Sequence, residues 1–226
     1  MHVGLIGGIG PAATEFYYRG LTRAFAAAGR RLELTIVNAE VRDMTRNMDA
    51  NDPKAQAAIF AELIGRLKAA GAKAAVVTSM GGHFCIRELM AISPLPLINA
   101  IPELNDHFGK TGVKRIGILG SGAVMRSKFY GGVTSVEIAA PQGPELDEVH
   151  KHYVAMATAA VATDDDKRFF LEAGQKLVKE QGADVVVLSG TDLFLAFDGA
   201  SPGYRVADAA EIHIGPIVRA AMQDVS

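Results

Sequence analysis

Short apolar runs alternate with longer amphipathic stretches from one end of the chain to the other. Unbroken apolar runs of a few residues suit strands buried on both faces, and the stretches between them suit crossover helices, so the pattern is that of βαβ units around a parallel sheet. The fold class is α/β. Strands are expected at 3–6, 34–37, 74–78, 96–98, 115–119, 135–138 and 185–188, and a final helix from 208 to about 222. Pro11 and Pro53 announce two helix starts, because a missing N–H costs nothing in the first helical turn. Asn51 and Asp52 strengthen the second.

The chain also resembles itself. The segment VGLIGGIG at 3–10 returns as IGILGSGA at 116–123, and KAAGAKAAVVTS at 68–79 returns as KEQGADVVVLSG at 179–190. Internal echoes of this length indicate two similar units, each built as a Rossmann-like parallel-sheet domain. The expected division gives 1–99 with 207–226 to a first lobe, the last helix returning to it, and 100–206 to a second. In each half the strands end in Gly/Ser-rich turns. Open α/β sheets bind ligands beyond the carboxyl ends of their strands, so four such turns are expected to face one cleft between the lobes.

Charge and cysteine content narrow the partners. The chain has 23 Lys+Arg against 25 Asp+Glu, a formal charge of -2, and its longest run of like charge is Asp164-Asp165-Asp166. No basic footprint for nucleic acid or anionic lipid exists, so neither nucleic acid nor membrane is an expected partner. Apolar runs such as 185–188 fall far short of a membrane span. The one cysteine, Cys85, cannot form an intrachain disulfide, which suggests a reducing cytoplasm. A small molecule is the expected partner.

The strand-end turns carry the candidate chemistry. Gly7-Gly8-Ile9-Gly10-Pro11 lacks the G-x-G-x-x-G spacing of a dinucleotide fingerprint, so no cofactor is expected there. Glycines ahead of a helix N-terminus can instead admit a carboxylate. Thr78-Ser79-Met80-Gly81-Gly82-His83 and Leu188-Ser189-Gly190-Thr191-Asp192 offer hydroxyls and backbone N–H groups suited to an oxyanion or enolate, although N-capping by Ser79 or Thr191 would select the same residues. His83 and Asp192 are the candidate acid–base groups. His213 is expected to pack within the last helix, and His150 and His152 to be solvated. Histidine spacings of the H-x-x-x-H kind are missing, so no metal site is expected. A G-x-S-x-G elbow is missing too, which leaves Ser79 with His83 four residues on as the alternative nucleophile and base.

With GLIGGIGPAAT at 4–14, the two strand-end turns and Glu211-Ile212-His213, the chain resembles the aspartate/glutamate racemase superfamily, in particular its aspartate racemase branch. The resemblance implies a cofactor-free enzyme in which two cysteines stand on opposite faces of the substrate α-carbon. The family's first cysteine heads a Cys-Asn-Thr-x-His motif that maps onto 79–83, where Ser79 stands. The second lies in Gly-Cys-Thr-Glu, which maps onto 189–192, where Gly190 stands. A hydroxyl is a far weaker acid than a thiol of pKa about 8.5, and glycine has no side chain at all. The resemblance therefore implies the fold and the carboxylate chemistry without the thiols. It places Ser79, His83 and Asp192 in catalysis, and Gly8, Thr14, Met80, Gly81, Ser121, Ser189, Gly190 and Thr191 around the substrate. Arg42 and Arg46 are the candidates for the family's arginine after the second strand. A homodimer is also implied. The expected activity is an isomerase-like reaction on a small carboxylate, an amino acid or related acid, by cofactor-independent and non-thiol proton transfer. The alternatives are an inert carboxylate-binding relative and a lyase or hydrolase using Ser79.

Overall fold

Strands β1 (Val3–Gly7), β2 (Leu34–Asn38) and β3 (Ala74–Val77) form a parallel sheet in the order β2-β1-β3. Their connections are α1 (Pro11–Ala27), then α2 (Val41–Asp49) and α3 (Pro53–Ala69). A 3-10 turn at Gly81–Cys85 and α4 (Ile86–Ile92) follow. β1 and β3 are buried at every position, as strands covered on both faces should be. Ile6, Phe60, Ile64, Leu67, Val77 and Leu89 belong to one apolar cluster of this unit. Both proline-signalled helix starts are found. Pro11 opens α1 after Gly10, whose φ of 88 favours glycine, and Pro53 opens α3 after Asp52, whose carboxylate accepts the Ala55 N–H at 2.9 Å.

The computed structural model describes residues 1–223 of the chain, which divides into two compact units. The first holds Met1–Asn99 and the chain from His213 onward, and the second holds Ala100–Ile212. In the second unit, α5 (Ala100–Lys110), β4 (Arg115–Leu119), α6 (Gly122–Ser127), β5 (Glu137–Ala139), α7 (Gly143–Ala159) and α8 (Asp164–Gln181) lead to β6 (Val185–Leu188), α9 (Phe194–Phe197) and β7 (Val206–Asp208). These strands are parallel in the order β5-β4-β6-β7. The final helix α10 (Ala209–Met222) starts in this unit and from His213 belongs to the first. Among the described residues no helix is long and apolar enough to cross a membrane.

The repeated sequence is repeated structure. Just past β3 the Thr78 N–H donates to Ile6 O at 3.2 Å, and just past β6 the Ser189 N–H donates to Leu119 O at 2.7 Å, the corresponding bond of the other sheet. Two strand expectations need correction, and one strand was not anticipated. Residues 96–98 make only a single parallel bridge, Ala75 to Leu97, because Pro96 has no N–H with which to extend the ladder. The strand expected at 135–138 begins at Glu137, since the Thr134 and Ser135 N–H groups are both taken by Asn105 Oδ1 at 2.9 Å. The short β7 was not expected; three residues with no fully buried side chain give little apolar signal.

Candidate active site

In the first unit the turn after β1 is closed on itself. The Gly8 N–H donates to Thr14 Oγ1 at 2.9 Å, and the Thr14 hydroxyl donates to Gly10 O at 3.3 Å. A glycine is required at position 8, where φ is 83 and a Cβ would lie 2.3 Å from Asn38 Oδ1. An open pocket of about 350 Å³ beside it is lined by Gly8, Pro11, Thr14, Glu15, Asn38 and Glu40 among others. Its charged lining is two carboxylates, so the pocket does not offer the cationic surroundings a carboxylate would seek. Arg42 and Arg46 lie on α2, both exposed, with Arg46 paired to Asp43 at 2.7 Å.

The turn after β3 is buried. Ser79 is 5% exposed and its Oγ accepts the Gly82 N–H at 3.2 Å, while Met80 is fully buried and Gly81 half-buried. His83 is 1% exposed. Its Nδ1 lies 2.7 Å from Ser79 O, and a carbonyl only accepts, so Nδ1 carries the proton. The imidazole thus bonds the Ser79 carbonyl and not the Ser79 hydroxyl, and the nucleophile–base contact needed to activate a serine is not made. Burial lowers the His83 pKa to about 4, the bond to Ser79 opposing only in part. Beside it, edge-on at 6.2 Å between ring centres, stands His213. His213 Nε2–H donates to Ile98 O at 2.9 Å, which leaves Nδ1 to accept the Tyr17 O–H at 2.9 Å. Burial, then the neighbouring His83, lowers the His213 pKa to about 3. Both rings are neutral at physiological pH.

In the second unit the ends of β4 and β6 are packed together. A Cβ on Gly120 would lie 2.7 Å from Gly190 N. Ser121 caps α6 by accepting the Val124 N–H at 3.5 Å, and Ser189 Oγ donates to Val187 O at 3.2 Å. Asp192 is 1% exposed and accepts the Tyr153 O–H on Oδ2 at 3.2 Å. Thr191 is also 1% exposed, and its Oγ1 makes no hydrogen bond of acceptable geometry with any described residue. It is near enough to the Tyr153 phenol to favour the ionised form, but burial and the Asp192 charge outweigh it and hold the phenol well above its ordinary pKa.

Helix α7 and strand β7 bring further polar side chains to the strand ends of the second unit. His150 and Tyr153, three residues apart and so on one helical face, reach the two turns. The Gly122 N–H donates to His150 Nδ1 at 3.1 Å. Asp208 ends β7 opposite Leu188, and its Oδ1 accepts the Ala210 N–H at 2.7 Å and the Glu211 N–H at 3.3 Å. Burial pushes its carboxyl up to about 7. The expectation that His150 and His152 are solvated is corrected. His152 Nδ1 lies 3.0 Å from Asp166 Oδ1, and its ring stacks on Phe169 at 4.0 Å, because α8 packs beside α7. Among the described residues no group of three or more His, Cys, Asp or Glu side chains could hold a metal ion.

The family model for Asp/Glu/hydantoin racemases matches residues 6–215. The chain belongs to that family. No curated protein sequence matches the chain, but solved structures do. A candidate Asp/Glu racemase from Yersinia pestis is 22% identical over 99% of this chain and 100% of its own, with a TM-score of 0.83. An aspartate racemase homologue from Pyrococcus horikoshii is 21% identical over 98% and 99%, with a TM-score of 0.77. A glutamate racemase from Francisella tularensis, in complex with D-glutamate, is 11% identical over 97% and 80%, with a TM-score of 0.66. At these identities the likeness establishes the two-sheet fold of the Asp/Glu/hydantoin racemases.

For a member of this family the state of its one cysteine matters. Cys85 is fully buried within the first unit's core, its Sγ donating to Gly82 O at 3.4 Å. Burial pushes the thiol up to about 12. A thiol so placed is an inert core group.

Proposed function

We propose that this Asp/Glu/hydantoin racemase family member is an isomerase-like enzyme that moves a proton at the α-carbon of a small carboxylate without cofactor and without thiols. The observation that carries this reading is the end of β6, where the buried Asp192 side chain stands beside the Thr191 hydroxyl, buried and without a hydrogen bond of acceptable geometry to any described residue. Asp192 takes the α-proton. That leaves an enolate whose developing charge the Thr191 hydroxyl and the backbone N–H groups of the strand-end turns would meet. Ser121, Ser189 and Gly190 form the rest of the second unit's lining in this reading. In the first unit, Gly8, Thr14, Arg42, Arg46, Met80 and Gly81 remain the substrate-binding candidates, and Ser79 and His83 act as a fixed, uncharged turn. The neutral His83 and its bond to Ser79 O support that assignment. A homodimer, taken from the family resemblance, and a reducing cytoplasm, taken from the single cysteine, complete the reading.

The test is α-proton exchange in D2O over a panel of amino and hydroxy acids. Asp192→Asn is expected to slow exchange by about 10²- to 10⁴-fold, and an unchanged rate refutes the assignment. A second reading, an inert carboxylate binder, is favoured by the closed hydrogen bonding of the Ser79–His83 turn. It is supported if calorimetry finds binding while no acid in the panel exchanges. Acylation of Ser79 by a reactive ester would instead support a hydrolase.

A further inference from the structure

Gly190 is not an empty position. A Cβ built there would lie 2.2 Å from Tyr153 Cε2 and 2.7 Å from its Cζ, so the tyrosine ring occupies the volume that any side chain at 190 would enter. The same tyrosine donates its O–H to Asp192 Oδ2 at 3.2 Å. One helical turn earlier, His150 of α7 takes the Gly122 N–H on the neighbouring strand-end turn. One face of α7 therefore seats an aromatic side chain on each of two adjacent turns, over a glycine in both cases, and one of them engages the buried carboxylate.

We propose that Tyr153 is a positioning residue of the second unit's site: its ring replaces the missing side chain at 190, and its O–H holds Asp192 in one orientation as a carboxylate. The reasoning is geometric. A buried carboxylate with no donor is costly and favours its protonated form, whereas a donor aimed at one oxygen stabilises the ionised form and fixes the rotamer. The phenol stays protonated next to the charge it serves, so it remains a donor throughout the working pH range. This inference rests on Asp192 acting as the base, and the two can fail separately.

Three measurements on the full chain test it. The first is the carboxyl 13C titration of Asp192 by NMR. In Tyr153→Phe, which keeps the ring and deletes the donor, the Asp192 midpoint is expected to move up by about one pH unit. The second is the pH profile of α-proton exchange, whose acid limb should move with that midpoint while the binding constant for an unreactive carboxylate changes less than about threefold. A merely structural tyrosine would alter stability and leave both midpoints in place. The third is a stability cycle. Gly190→Ala should lower the unfolding midpoint in the parent chain and do so far less in a Tyr153→Ala background, because the clash is then gone. An unmoved Asp192 midpoint, or equal penalties for Gly190→Ala in both backgrounds, overturns the placement of Tyr153. A shifted midpoint with no exchange on any acid upholds the Tyr153–Asp192 pair and overturns Asp192 as a base.

Discussion

At position 85 the chain carries a thiol that the fold keeps out of chemistry. Against an ordinary value of 9.0, the Cys85 pKa is pushed up to about 12 by burial, so only a minute fraction is thiolate near pH 7. Cys85→Ala is expected to leave α-proton exchange within about twofold and to cost about 1 kcal/mol of stability for the small cavity it opens. A thiol reagent should label the native protein only as fast as it unfolds. Rapid stoichiometric labelling of the folded chain, checked by mass spectrometry, would show the burial to be wrong. Position 79 holds a serine whose Oγ accepts the Gly82 N–H, and position 190 a glycine whose space is taken by Tyr153. The sequence could mark those two positions, because the motifs around them are local. It could not reveal what fills the gap at 190, since Tyr153 lies on another element and nothing in its own neighbourhood distinguishes it from a helix surface residue.

Between elements, the clearest tie in the first unit joins α1 to α10. Tyr17 and His213 are fully buried, and the hydrogen bond between them connects residues at opposite ends of the chain. Tyr17→Phe deletes the donor and strands His213 Nδ1 in the core, which should cost about 1–3 kcal/mol, measured by denaturant unfolding. A loss indistinguishable from zero would mean that the pair is replaced by another partner. The strands of this fold were legible where apolar runs were long. Arg115–Leu119 and Val185–Leu188 match expectation residue for residue, because buried parallel strands announce themselves by continuous hydrophobicity. Edges were not. Residues 96–98 and Val206–Asp208 lie beside β3 and β6 respectively, and such short edges depend on which backbone donors are present more than on apolar content. The echo between the halves was legible for the same reason as the central strands. Asp208 closes β7 and caps α10 at once, so the pattern that marks a helix start in the sequence hides the strand end.

For the molecule as a whole, three buried groups contribute to the response of stability to acid pH. His83 and His213 titrate at about 4 and about 3 in the folded chain, against 6.5 when exposed. Between these values the unfolded chain binds more protons, so their contribution is complete above about pH 6.5 and is lost as pH falls. Asp208 acts in the opposite sense. Its folded value of about 7 against 3.8 means that the folded chain holds the extra proton, and its contribution is lost as pH rises through 7. Two histidines outweigh one aspartate, so stability should rise by about 1 kcal/mol per pH unit between about pH 4.5 and 6. Asp208→Asn, which keeps a cap, should roughly double that slope, and His213→Gln should nearly abolish it. Urea titrations across this range would decide; a flat profile in the parent chain would contradict the burial of the histidines. The function itself is tested most directly by following α-proton loss by NMR in D2O for the parent chain, Cys85→Ala and Asp192→Asn over one panel of small carboxylates. Exchange is expected in the first two and a loss of at least about 100-fold in the third. Exchange that disappears with Cys85 and survives without the Asp192 carboxylate would contradict a thiol-independent site at the end of β6.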